Sequence, residues 1–180
     1  MDRIKERIRV GQEDAKVLAA IDQISLDRIA QAIVDAKRIY IAGWGRAGNC
    51  IKILAMNCSQ MGLTAYICGD NTTPSIHPGD LLIIGSGSGE TKTIALLAQQ
   101  AKMHGAALAL ISTNSESTIG KLADINVVIP TTTITEGTPS GMDGYFYHVL
   151  VQTVDIIRGY VCEILGITKE QMHENHNNLE

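Results

Sequence analysis

The sequence predicts an α/β protein, a parallel sheet covered by helices with two further helices ahead of it. Three observations predict this class. After residue 36 the apolar residues stop recurring at helical spacing and fall into five short runs bounded by Gly, Asp and Asn. Stretches of helical period lie between these runs. Each run is apolar at nearly every position, as strands covered on both faces are.

Taken in order, Ile4, Ile8, Val17, Leu18, Ile21, Ile29 and Ile33 recur at helical spacing, and the spacing predicts two helices within residues 1–36 with a break and cap at Ser25-Leu26-Asp27. Strands are expected over 38–42, 64–68, 80–84, 107–111 and 125–129. Helices are expected over 47–61 and 91–104, with a short one over 118–123. The alternation implies right-handed crossovers. A long helix over 144–165 should pack back on the sheet, and a polar tail follows it. No internal repeat or linker interrupts this order, so 1–180 is read as one domain: N-terminal helices over 1–36, an α/β core over 37–165 and a tail over 166–180.

Composition narrows the function. With 45% hydrophobic residues, 19% charged residues and a net charge of −4, the chain has enough apolar surface for a core and no basic face for nucleic acid. No apolar run reaches the length of a membrane span. Cys50, Cys58, Cys68 and Cys162 form no C-x-x-C pair, and the start MDRIKERIRVGQED has no apolar signal region. Both features lead to the expectation of reduced thiols and a cytoplasmic protein. The 17 glycines contrast with seven aromatics: Trp44, Phe146 and five tyrosines. That scarcity suits a small polar ligand better than a stacked nucleotide.

In an open parallel sheet the ligand sits at the carboxyl ends of the strands. After the first strand comes Gly43-Trp44-Gly45-Arg46-Ala47-Gly48, a match to G-x-G-x-x-G, with Asp70 ending the second strand. This leaves dinucleotide binding and a plain strand-turn-helix junction both open. The third strand runs into Gly85-Ser86-Gly87-Ser88-Gly89-Glu90-Thr91 and a helix. Backbone amides and three hydroxyls thus gather at a helix N-terminus, an arrangement that favours an anion. A dinucleotide site has no need of this second loop, and no P-loop lysine follows it.

This serine loop, paired with G-x-G-R-x-G upstream, resembles the sugar isomerase (SIS) domain family of phosphosugar binders. Gly69-Asp70-Asn71-Thr72-Thr73-Pro74, the approach Gly79-Asp80-Leu81-Leu82-Ile83-Ile84, and the terminal Met172 and His176-x-Asn178-Leu179-Glu180 resemble its 3-hexulose-6-phosphate isomerase branch. The resemblance covers nearly the whole chain. It implies a three-layer α-β-α sandwich, flavodoxin-like or Rossmann-like, that assembles as a homotetramer with sites near subunit boundaries. It also implies an aldose-ketose phosphosugar isomerase of the ribulose monophosphate pathway, working through a cis-enediol without a metal or other cofactor.

Residue by residue, the resemblance implies that Ser86, Ser88 and Thr91 hold the phosphate, with Gly45, Arg46, Glu90, Thr72 and Thr73 as further binding positions. Where the family commonly has a phosphate-facing Ser, this chain has Ala47. Arg46 is read equally as a ligand contact or a structural partner of a carboxylate, and Glu90 equally as a ligand contact or a helix-opening carboxylate. His176 matches the catalytic His of these relatives. Their Glu does not match, because Tyr145 stands at its position, so Asp143 and Glu136 are the candidate bases. His148 is expected inside the molecule or at an interface, and His77, beside Pro78, in an exposed turn. His173 and His176 form an H-x-x-H pair without a third metal ligand beside them.

Two rival functions remain. A non-catalytic phosphosugar sensor is compatible with Tyr145, although residues 1–36, with six Lys/Arg against seven Asp/Glu, do not resemble a DNA-binding module. A dinucleotide enzyme would bind NAD(P).

Overall fold

The computed structural model describes residues 3–131 and 144–179. Two helices, α1 (Arg3–Ala19) and α2 (Gln23–Asp35), precede β1 (Ile39–Ala42). Then follow α3 (Gly45–Gln60), β2 (Ala65–Ile67), β3 (Leu81–Gly85), α4 (Lys92–Met103), β4 (Ala107–Ser112) and β5 (Ile125–Val128). The chain closes with α5 (Gly144–Leu165) and a short α6 (Lys169–Glu174). All five expected strands are present, and every pairing between them is parallel.

The sheet runs β2-β1-β3-β4-β5. Strand order therefore reverses between β1 and β3, whose ends are in register at Ala42 and Ile84. That reversal opens a crevice at the carboxyl ends of these two strands. Alternate residues of each strand face opposite layers. Ile39, Ile41, Leu81, Ile83, Ala109 and Ile111 pack with α2, α3 and α5, whereas Tyr40, Ala42, Leu82, Ile84, Leu108 and Leu110 pack with α4. Every residue of β1 and β3 is buried, while the edge strand β2 is half-buried throughout. The result is the α-β-α sandwich.

Two local expectations are corrected and one is extended. The break between the first helices falls at residues 20–22 and not at Ser25. Asp22 is the cap: its carboxylate accepts from the Ser25 amide at 2.8 Å, and the Ser25 hydroxyl donates back to the Asp22 carbonyl at 2.7 Å. Residues 118–123 form turns rather than a helix. Its Gly120 is a poor helix former that packs against the Ser115 carbonyl, and the Gly120 amide donates to the Ser117 hydroxyl at 3.1 Å. The polar tail holds a helix, α6, opened by Thr168 and Gln171 in a reciprocal capping box.

Beneath the sheet, at the amino ends of the strands, Arg38 grips Asp80 through Nε at 3.0 Å and Nη2 at 2.6 Å. The same guanidinium donates to the Ser75 carbonyl, and the His77 amide donates to Asp80. This pins the long β2-β3 connection, with His77 exposed on it as expected. No helix among the described residues is long and apolar enough to cross a membrane.

Candidate active site

The first loop owes its shape to two glycines in contact. A Cβ on Gly48 would lie 2.3 Å from the Gly43 carbonyl oxygen, so only glycine lets α3 start so close to the end of β1. Between them Gly45 takes φ +56°, a left-handed conformation that side chains resist. Helix geometry leaves the amides of residues 45–47 without intrahelical acceptors, since the first such bond runs from Gly48 to the Trp44 carbonyl at 3.0 Å.

The serine loop lies beside it. Ser86 Oγ accepts from the Gly89 amide at 3.2 Å, and Ser88 Oγ accepts from the Glu90 amide at 3.2 Å. Each hydroxyl oxygen thus has an internal donor, and its own proton remains for an external acceptor. Gly89 has φ +66°, and a Cβ there would strike the Ser117 hydroxyl. Thr113, after β4, braces the loop by donating from its amide and hydroxyl to the Gly87 carbonyl at 3.0 and 2.8 Å.

These loops enclose a cavity of about 340 Å3. Ser86, Ser88 and Thr91 line it together with Gly85, Gly87, Ile94 and Thr113. Trp44, Ala47, Thr131, Phe146 and Tyr147 supply the remaining wall. Among the described residues the lining contains no charged side chain. Positive potential comes instead from the N-termini of α3 and α4, which both open onto the cavity. Arg46 adds a full charge outside the lining, its guanidinium 4.3 Å over the Tyr147 ring. A small anion fits this arrangement.

The other predicted residues lie elsewhere. Glu90 turns away: its carboxylate accepts from the Thr118 amide at 2.8 Å and the Thr118 hydroxyl at 2.6 Å. Those two bonds, the hydroxyl's first, hold its pKa below the usual carboxylate value. Thr72 and Thr73 border a separate hollow beside β2, and the Thr73 hydroxyl donates to the Ile67 carbonyl at 2.6 Å. Glu136 and Asp143 lie outside the described residues.

His176 is exposed at the opposite end of the molecule. Its neighbour Asn175 donates to the carbonyl of Gln60, the last residue of α3, at 3.1 Å. Gly45, outside the lining but between its residues Trp44 and Ala47, is the first residue of that helix, whose 16 residues span about 24 Å. His148 is exposed, not interior, with Nδ1 3.6 Å from the Asp14 carboxylate. Tyr145 is buried, its ring edge-on to His148, and does not line the cavity.

Reasoning from sequence missed the aromatic wall. Phe146 and Tyr147 belong to an apolar helical pattern that reads as core, and Trp44 fills a variable position of its motif. Thr113 was accessible to the rule about carboxyl ends of strands, applied to β4. The thiols are not nucleophiles at neutral pH where they are most buried: burial pushes Cys58 up to about 12 and Cys68 up to about 11. Among the described residues no three His, Cys, Asp or Glu side chains converge into a metal set.

Comparison with known proteins gives concordant findings. The SIS domain family model matches residues 32–154. A 3-hexulose-6-phosphate isomerase of Mycobacterium gastri is 34% identical over 95% of this chain and 88% of its own. One from Bacillus subtilis is 36% identical over 90% of each chain. Among solved structures, a Methanococcus jannaschii protein whose crystal structure infers a molecular function of 3-hexulose-6-phosphate isomerase superimposes with a TM-score of 0.87 at 25% identity, over 97% of this chain and 99% of that one.

Proposed function

The chain belongs to the SIS domain family, and we infer from that membership and from its cavity that it is a phosphosugar isomerase, interconverting 3-hexulose 6-phosphate and fructose 6-phosphate. The observation that carries the reading is the hydroxyl-lined cavity at two helix N-termini, on a chain matched over most of its length by isomerases of this name.

The reaction moves a carbonyl from C3 to C2 without net redox change. A base takes the proton from C2 of 3-hexulose 6-phosphate, and the electron pair forms a C2-C3 enediol as O3 gains a proton. Protonation at C3 and loss of the O2 proton then give fructose 6-phosphate. In this cavity the phosphate accepts from Ser86, Ser88 and Thr91 and from the first-turn amides of α4, which fixes the carbon chain for proton transfer.

The base is a separate question, since no carboxylate or imidazole lines the cavity among the described residues. Our proposal is that His176 serves the cavity of another copy of the chain, because α3 separates it from its own. A carboxylate from Glu136 or Asp143 would complete the pair. Glu136 follows the cavity residue Thr131 by five positions, and Asp143 precedes Phe146 by three. Assembly as a homotetramer, a cytoplasmic setting and a place in the ribulose monophosphate pathway belong to the same proposal, as does the single domain over 1–180 with its tail working in trans. Exposed Ile4, Ile8, Ile24, Met103 and Ile164 support self-association.

The absence of a base from the described lining favours a second reading, a phosphosugar sensor. Formation of fructose 6-phosphate from 3-hexulose 6-phosphate by the purified protein supports the isomerase. Saturable binding with no product supports the sensor.

A further inference from the structure

We propose that Trp44 is the wall of the cavity that recognises the sugar, its indole packing against the carbon chain of the bound phosphosugar while the serine loop holds the phosphate. This rests on the phosphosugar reading above and adds to it the residue that tells a sugar phosphate from a bare phosphate.

Trp44 precedes α3 with extended backbone, φ −119° and ψ 160°, and makes no side-chain cap bond to that helix. Its side chain instead spans the crevice between neighbouring strand ends. Nε1 donates to Thr93 Oγ1, in the first turn of α4, at 2.9 Å. The far edge of the ring lies over Gly69, after β2, where a Cβ would sit 3.5 Å from Trp44 Cη2. The indole is therefore held from two sides by segments following different strands. Its one polar atom is satisfied, yet 44% of the residue remains open to solvent.

Leaving so large an apolar surface wet is unfavourable, and fixing its orientation adds an entropic cost. Both costs are offset when a ligand covers the ring. Phe146 and Tyr147 line the same cavity, so three of the chain's seven aromatic residues flank one small space. A phosphate has nothing to offer an aromatic face. The C–H groups of an extended polyol chain do, and the serine loop and the aromatic wall line one cavity. Ala47, which lines the cavity where a hydroxyl could have stood, shifts recognition further from hydrogen bonding toward apolar contact.

Trp44 is the chain's one tryptophan, so its fluorescence reports directly on the proposed contact. The wild-type protein is titrated with fructose 6-phosphate and, separately, with inorganic phosphate, following emission and calorimetry together. KM and the inhibition constant of inorganic phosphate are then measured for W44A, W44F and T93V. We expect fructose 6-phosphate to shift the emission with the calorimetric Kd, and inorganic phosphate to bind with little shift.

W44A should raise KM about tenfold while phosphate inhibition changes by less than about twofold, and W44F should recover most of the loss. T93V, which frees the ring, should raise KM about threefold. If W44A and W44F keep wild-type KM while fructose 6-phosphate binds and turns over, the role of Trp44 is refuted and the phosphosugar reading stands. Equal weakening of sugar phosphate and inorganic phosphate in both variants refutes it too, since that outcome is a disturbed loop. If calorimetry detects inorganic phosphate binding but no fructose 6-phosphate binding to the wild-type protein, the underlying reading fails and the inference with it.

Discussion

Glu90 binds Thr118 at both its amide and its hydroxyl, 2.8 and 2.6 Å away, and so ties the serine loop to the segment after β4. The carboxylate stands within the motif proposed to hold the phosphate, but its hydrogen bonds shape the loop. Replacing Glu90 with Ala should raise KM several-fold and leave kcat nearly unchanged, because the phosphate donors lose their brace and the reacting carbons do not. Gln, which can still accept from Thr118, should restore most of the affinity. Since the Thr118 bonds hold the Glu90 pKa below its usual value, the brace is intact above the ordinary carboxylate range and is lost as pH falls through the lowered value. A KM difference between wild type and Glu90→Ala that disappears already near neutral pH would contradict this.

The hydroxyls of the serine loop should be separable from the chemistry. Ser86→Ala removes one proposed phosphate donor and the acceptor for the Gly89 amide, and should weaken inhibition by inorganic phosphate about tenfold. Ala47→Ser places a hydroxyl on the cavity wall, where it can donate to the same anion, and should tighten phosphate binding about threefold. Competition measurements with inorganic phosphate check both.

Acid stability should depend on Asp80. Burial alone would raise its carboxyl, but the Arg38 guanidinium and the His77 amide overcome that and hold it below the usual value. A lowered pKa in the folded state means that the group stabilises the protein at pH values above about 4, its unfolded value, and loses that contribution as pH falls through the folded one. Asp80→Asn removes the buried carboxylate from its pair with half-buried Arg38 and should cost about 2 kcal/mol at neutral pH, read by urea denaturation. The difference from wild type should shrink steadily toward pH 2. A constant difference across that range would mean that the Asp80 carboxyl titrates alike in the folded and unfolded chain, so that Arg38 and the His77 amide do not favour its charged form.

The strands were legible because each is apolar on both faces, a pattern that surface elements do not share. The serine loop was legible because alternating Gly and Ser at a strand-to-helix junction has few other uses. The aromatic wall was not: Phe146 and Tyr147 sit in the apolar repeat of α5, and periodicity cannot separate a residue facing a cavity from one facing the core. Counting aromatics over the whole chain also misled, because three of the seven meet at one place. The helix break was misplaced because Asp22 and Ser25 are both capping residues, and only the bond from the Ser25 amide to Asp22 decides between them. His176 could be matched by its motif, but its distance from the cavity depends on the contact of Asn175 with Gln60, for which the sequence carries no local signal.

That distance makes a prediction about assembly. A His176→Ala protein and a Ser86→Ala/Ser88→Ala protein should each be nearly inactive, the first with kcat far lower and KM little changed. After subunit exchange between the two, activity should reappear, because one chain supplies the intact serine loop and the other the intact histidine. Mixed assemblies demonstrated by mass spectrometry that remain inactive would contradict the assignment of His176 to the cavity of another chain.

Hydrogen exchange tests the central claim most directly. The purified protein is incubated with fructose 6-phosphate in D2O and the sugar is examined by NMR. Isomerisation between 3-hexulose and fructose 6-phosphates predicts deuterium at C3, where the enediol forms. Saturable binding of fructose 6-phosphate with no deuterium at any carbon would show that the cavity binds a sugar phosphate without enolising it, and the isomerase account would be wrong.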